Sequence, residues 1–225
     1  MIPLRDQNPS GRVPFVTYTL IGLNVIVFAW QMLQMNTSPD QVFALALIPA
    51  DVTSGIQAVD FVHMFASMFM HGGIAHILGN MLYLWIFGDN VEDAMGHGRY
   101  LLFYLAGGIF AAAAHILTDP NSTIPTVGAS GAIAAVLGAY MVLYPRSRVL
   151  TLLVLGFFVR LSYIPAIIVL GLWGILQLFQ GLLALGGPTG MGGIAFWAHI
   201  GGFAFGLLLA RVLGKPRNYY DIITS

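Results

Sequence analysis

The sequence predicts an all-α membrane protein, a bundle of six transmembrane helices with the N- and C-termini both in the cytoplasm. Three observations carry that prediction. Of 225 residues, 58% are hydrophobic and only 8% are charged, whereas a water-soluble domain carries about a quarter charged residues, so there is too little polar material to cover a solvated surface. Six apolar stretches approach the length of roughly 20 residues that a helix needs to cross about 30 Å of hydrocarbon. The nine lysines and arginines all fall on one side of those stretches. Unpaired backbone cannot face lipid, which makes the crossing elements helices.

Taken in order, residues 1–12 read as a short cytoplasmic segment and Val13 to Leu33 as the first span. That run is long and no small-residue cleavage site follows it, so it is expected to be a retained anchor rather than a signal peptide. Val42 to Ile48 is too short to cross, is closed by Pro49 and sits among Asp40, Asp51 and Asp60; it is expected to lie in the interface or pack on the bundle. The second span is Ile74 to Phe87, continuing toward Val91, the third Tyr100 to Leu117 and the fourth Ala129 to Tyr144. Val149 to Val159 is β-branched and apolar, bracketed by Arg146, Arg148 and Arg160, and as a helix would cover only about half the core. It reads as a non-crossing connector, strand-like or interfacial. Pro165 to Leu185 and Ile194 to Leu213 are the fifth and sixth spans, followed by a tail over 214–225. Gly202 and Gly206, four apart in the last span, let helix backbones approach closely. Residues 1–225 read as a single transmembrane domain.

The orientation follows from the basic residues. With a cytoplasmic N-terminus, the inner segments hold Arg5 and Arg12, then Arg99, then Arg146, Arg148 and Arg160, and finally Arg211, Lys215 and Arg217. The outer loops have Asp40, Asp51, Asp60 and Asp119 and no basic residue, in agreement with the positive-inside rule. A seven-span alternative would carry Arg211, Lys215 and Arg217 outside. The expected location is therefore a multi-pass position in the cell membrane. A formal net charge of zero argues against a nucleic-acid partner, which calls for a clustered basic patch. The absence of cysteine excludes a disulfide framework and thiolate metal sites.

Polar side chains inside a span are costly and mark function by default. His71, His76 and Asn80 open the second span, Gly128 and Ser130 the fourth, and His199 falls in the first two turns of the sixth. Spans two, four and six run in the same direction, so these groups share one depth near the outer face. His76 and Asn80, four apart, lie about 40° from each other around a helix axis. The residue types fit acyl transfer: a serine hydroxyl needs a neighbouring base, and a neutral histidine is the usual one. His199 is the candidate base. His76, Asn80 and the backbone amide of Ser130 could donate to the oxyanion of a tetrahedral intermediate. No carboxylate lies in the outer half of any span, so a Ser–His pair rather than a triad is expected, with the active site opening to the extracytoplasmic side. No cofactor is called for.

Each residue has a plainer reading. A serine flanked by glycines at a helix start is commonly an N-cap or a packing site. His115, near the outer end of the third span, reads as a packing or hydrogen-bonding residue, and His63 and His97 as interfacial. A metal site is disfavoured: the His-Glu-x-x-His pattern of zinc proteases is missing, and His71 and His76, five apart, would diverge by about 140° on an ideal helix. A transporter would spread its polar groups over several depths, whereas these cluster at one.

In this constellation the chain resembles the rhomboid family of intramembrane serine proteases over nearly the whole six-span core. The carrying motifs are His71, His76 and Asn80 in the second span; Gly128, Ala129, Ser130 and Gly131 at the fourth; and Ala198, His199, Gly202 and Gly206 in the sixth. The resemblance implies that Ser130 is the nucleophile and His199 the general base. It gives His76 and Asn80 as oxyanion partners, His71 as a supporting residue and Gly128 as the glycine that gives backbone access. It further implies that the substrates are transmembrane segments of other membrane proteins, cut near the outer face of the bilayer. Two features depart from the family pattern, at three positions. Val62 and His63 stand where rhomboids commonly carry Trp and Arg, and Ala134 stands where some members place an aromatic residue against the histidine. Phe196 and Trp197 are the neighbouring aromatics that could replace it. The competing function is that of a non-catalytic rhomboid-like protein that binds transmembrane clients.

Overall fold

The computed structural model describes residues 1–35, 37–186 and 195–216. Ile194, Arg217 and the tail from 217 to 225 lie outside the described residues. The chain is mostly helical. An N-terminal strand β1 (Ile2–Asp6) precedes helix α1 (Phe15–Gln34), and three short helices follow: α2 (Pro39–Phe43), α3 (Pro49–Ser54) and α4 (Ala58–Ser67). Two long helices, α5 (Ile74–Met95) and α6 (His97–Thr118), meet at Gly96. Then come α7 (Ser130–Leu143), a hairpin of β2 (Arg148–Leu155) and β3 (Phe158–Pro165), and finally α8 (Ala166–Gly186) and α9 (Phe196–Leu213).

The core is built around α7. Every residue from Gly131 to Tyr140 is buried, as expected of a helix that is apolar all round and enclosed by others. Its tightest neighbour is α9, and the contact is made by absent side chains. A Cβ on Gly202 would strike the Gly131 carbonyl oxygen, one on Gly206 that of Ala135, and one on Gly138 that of Phe203. The Gly202 and Gly206 spacing thus works as expected, bringing backbone against backbone.

Among the described residues, four helices are long and apolar enough to cross a membrane: α1, α6, α8 and α9. The other two expected spans differ from them for separate reasons. Helix α5 has 22 residues, but its last two turns carry Asp89, Glu92 and Asp93. Helix α7 has 14 residues and covers only about 21 Å.

The all-α expectation gives way at one place. β1, β2 and β3 form an antiparallel sheet with β2 in the centre. The strand-like reading of Val149 to Val159 agrees with this, but the hairpin extends to Pro165, and the first residues of the chain pair with it, Ile2 opposite Leu152 and Asp6 opposite Val149. That pairing joins segments almost 150 residues apart, which no local pattern announces. Val42 to Ile48 packs on the bundle: Val42, Ala46 and Leu47 are buried, and Leu47 exchanges backbone hydrogen bonds with Thr126 at 3.2 and 2.7 Å.

Candidate active site

Ser130 is the first residue of α7, so its N–H has no acceptor within the helix. The chain enters it through Gly128, whose φ of +137° favours glycine and whose N–H donates to the Ser67 carbonyl at 2.8 Å. Space also demands glycine there. A Cβ would lie 2.9 Å from the His76 imidazole and 3.4 Å from Ser130 Oγ, so His76 and Ser130 both adjoin this bare stretch of backbone.

His199, in the first turn of α9, points its Nε2 at Ser130 Oγ, 2.8 Å away. Its Nδ1 is 2.7 Å from Gln177 Oε1 on α8, a residue that sequence reasoning passed over although an amide inside an apolar span is itself a signal. Ala134 is wholly buried and lies 3.3 Å from where a Gly202 Cβ would stand, so the α7–α9 contact leaves no room for an aromatic residue. Instead Trp173 of α8 approaches His199, with ring centroids 6.0 Å apart. Of the expected replacements, neither Phe196 nor Trp197 makes that ring contact.

His76 and Asn80 are on the first two turns of α5. His76 Nδ1 accepts the Gly72 N–H at 3.3 Å, which leaves the ring proton on Nε2, the atom beside Gly128. The buried Asn80 Nδ2 finds no hydrogen-bond partner among the described residues, so it is an uncommitted donor. His71 is not on the helix as expected: α5 begins at Ile74, after Gly72 and the extended Gly73. The 140° divergence from His76 therefore does not apply, and the two rings meet edge to face at 5.1 Å. Helix α1 holds this turn, since Gln31 accepts the His71 N–H at 2.9 Å and donates to its carbonyl at 3.3 Å.

Ser130, His199, His76 and His71 border a cavity of about 1180 Å³ whose walls also include His115 and Trp197, and Asn80 is not part of its lining. Both ring nitrogens of His71, Nδ1 of His115 and Nε1 of Trp197 are buried without a partner among the described residues. Buried polar atoms need partners, so this polar part of the wall suits water, while Met32, Met35, Phe43 and Met64 make other parts of the lining apolar. Val62 and His63 lie on α4, whose N-terminus is closed by a reciprocal capping box between Gln57 and Asp60.

Comparison with known proteins agrees with the motifs. A family model described as the Rhomboid domain matches residues 58–216. Rhomboid protease GluP of Bacillus subtilis is 31% identical over 204 residues, which are 91% of this chain and 36% of that protein. Rhomboid protein 1, mitochondrial, of Saccharomyces cerevisiae is 27% identical over 89% of this chain and 54% of its own length. The putative rhomboid protease YdcA of Bacillus subtilis is 29% identical over 49% of this chain and 59% of its own. The chain thus spans about a third to a little over half of these relatives. With the family model covering most of its length, the chain belongs to the rhomboid family of membrane proteins.

Proposed function

We propose that this protein is an intramembrane serine endopeptidase that cleaves transmembrane segments of other membrane proteins near the outer face of the bilayer. The observation that carries the reading is the 2.8 Å contact between Ser130 Oγ and His199 Nε2, which is within reach for proton transfer. His199 takes the Ser130 proton as Oγ attacks the scissile carbonyl. The resulting oxyanion is met by the Ser130 N–H, His76 Nε2 and Asn80 Nδ2. Collapse expels the amine, which receives the proton from His199, and leaves an acyl-serine. Water, deprotonated by the same imidazole, then releases the acid product and restores the hydroxyl. A substrate helix must unwind locally first, because its peptide bonds are shielded and internally paired. His71 and Gly128 support the site, the first beside His76 and the second by keeping the backbone bare.

The topology that suits this reading is a single domain of six crossings with both termini cytoplasmic, the short α7 being submerged under the cavity. The cell membrane is the proposed location, with the cavity opening to its extracytoplasmic side. Because the chain has no cysteine, single cysteines at Ser10 and Thr123 test this directly. An impermeant maleimide added to intact cells should label only the Thr123→Cys variant; labelling at Ser10→Cys would overturn the orientation.

The activity is tested with purified protein, a fluorophosphonate and a single-span reporter. Labelling and cleavage should both disappear in Ser130→Ala. Cleavage that survives in that variant would remove the protease assignment, and a wild-type protein that binds the reporter without cutting it would favour the non-catalytic reading.

A further inference from the structure

We infer that Gln177 is the positioning residue for His199, holding the imidazole in the tautomer and orientation that proton transfer from Ser130 requires. The inference rests on the proposed roles of Ser130 and His199.

The chemistry of the ring sets the requirement. A neutral imidazole has one N–H donor and one bare acceptor nitrogen. To receive the Ser130 proton, Nε2 must be the bare one, so the proton has to sit on Nδ1, and a buried N–H needs an acceptor. Gln177 Oε1 is 2.7 Å from Nδ1. Its side chain therefore does from α8 what a carboxylate does in a three-membered hydrolase site: it selects the tautomer, fixes the ring plane and accepts a stronger hydrogen bond as the ring becomes cationic. A neutral carbonyl gives less charge stabilisation than a carboxylate, but in a span it also avoids the larger cost of burying a charge.

The position of Gln177 on α8 has no simpler explanation. Beyond Leu170 this helix is largely exposed, and it packs through a narrow stripe of Leu170, Trp173, Gly174, Gln177 and Gly181, spaced three and four apart as one helix face requires. Four members of that stripe are apolar or bare. The amide is the exception, on a helix whose other amide, Gln180, is exposed. One turn before it, Trp173 contacts both His199 and Phe203, with ring centroids 6.0 and 5.6 Å apart. Helix α8 thus holds the imidazole twice, by a hydrogen bond at the ring edge and by an aromatic neighbour. On α7, by contrast, position 134 is closed in against α9 and has no room for an aromatic side chain to pack on the ring.

The test compares the full-length wild type with Gln177→Met, which keeps the side-chain length and removes the acceptor, and Gln177→Glu, which restores one. Reporter cleavage and fluorophosphonate labelling are measured for each. In Gln177→Met, kcat should fall roughly 10- to 100-fold with KM within about twofold of wild type, and labelling should slow in parallel. In Gln177→Glu, kcat should return to within a few-fold of wild type. Wild-type kcat in Gln177→Met, a loss expressed mainly in KM, or Gln177→Glu as slow as Gln177→Met would each overturn the positioning role. If the wild type neither cleaves nor labels, it is the protease reading that fails; if it does both and the Met variant matches it, only the role of Gln177 fails.

Discussion

At the end of the bundle that carries the sheet, Glu92 is 1% exposed, and both carboxylate oxygens are engaged. They accept the Val16 and Thr17 N–H groups at 2.9 and 2.8 Å, the Thr17 hydroxyl at 2.7 Å and His97 Nδ1 at 2.6 Å. At the opposite end His71 is almost as deeply buried, at 2%, yet neither of its ring nitrogens finds a partner among the described residues. The same solvent problem has been met in two ways. Glu92 satisfies the first N–H groups of α1, which no residue within that helix can do. Around it, Asp93 accepts the Gly11 N–H at 3.0 Å and Asn90 exchanges hydrogen bonds with Asn8 at 2.8 and 3.1 Å. This end is closed, and its polar groups serve the fold. At the cavity end polar atoms of His71, His115 and Trp197 lack a partner among the described residues, and unpartnered polar atoms are what a hydrolytic water can use.

Mutations sharpen that contrast. The largest effect is expected at the cavity end, where Ser130→Ala or His199→Ala should lower turnover by at least about a thousandfold with little change in thermal stability. A comparable fall in melting temperature would mean that the pair serves the fold after all. Next, Asn80→Ala should lower turnover by roughly a hundredfold to a thousandfold, the usual cost of one oxyanion donor. Its stability should hardly change, since Nδ2 has no partner to lose among the described residues. Unfolding in detergent and reporter kinetics on the same preparation check both halves.

The sheet end should respond in the opposite sense. Glu92→Ala strands buried N–H groups of Val16 and Thr17 and should cost about 3 kcal/mol of stability, while the molecules that stay folded keep near-normal kcat. Reduced kcat at full stability would break the division between the two ends.

The smallest effect is a pH dependence at Asp6, in β1. Burial pushes its carboxyl from 3.8 up to about 6, against the opposing hydrogen bond from the Tyr140 hydroxyl at 2.5 Å. The folded protein therefore holds a proton there that the unfolded chain has released. This contribution to stability is complete below about pH 4 and is lost as pH rises through about 6. The thermal midpoint should fall by a few degrees between pH 5 and pH 7.5, and Asp6→Asn should flatten that slope. An unchanged slope in the variant would show that Asp6 is not the titrating group.

Much of this architecture could be read in advance because lipid simplifies the code. Long apolar runs have few alternatives to helix, and the expected boundaries fall within a few residues of α1, α6, α7 and α8. Ser130, His199, His76 and Asn80 stood out because polar residues are scarce in such runs. Gln31 and Gln177 carry the same signal and were passed over, since an amide has no obvious chemistry until its partner is known. Glu92 was invisible for a related reason: its role is defined by the N-terminus of α1, some 75 residues earlier. The sheet was hidden by distance along the chain, and the location of His71 by the two glycines that delay the start of α5.

By itself, then, the sequence determined that the chain belongs in a membrane, where its long helices lie and which side chains are chemically unusual among them, because hydropathy and residue type are local properties. Only the tertiary structure decided which of those side chains meet: that His199 touches Ser130 on one edge and Gln177 on the other, that α8 rather than α7 braces the imidazole, and that the first strand closes on a hairpin far along the chain. Contacts between helices depend on axial rotation and on backbone approach at residues such as Gly202 and Gly206, and those are settled by packing the whole bundle at once.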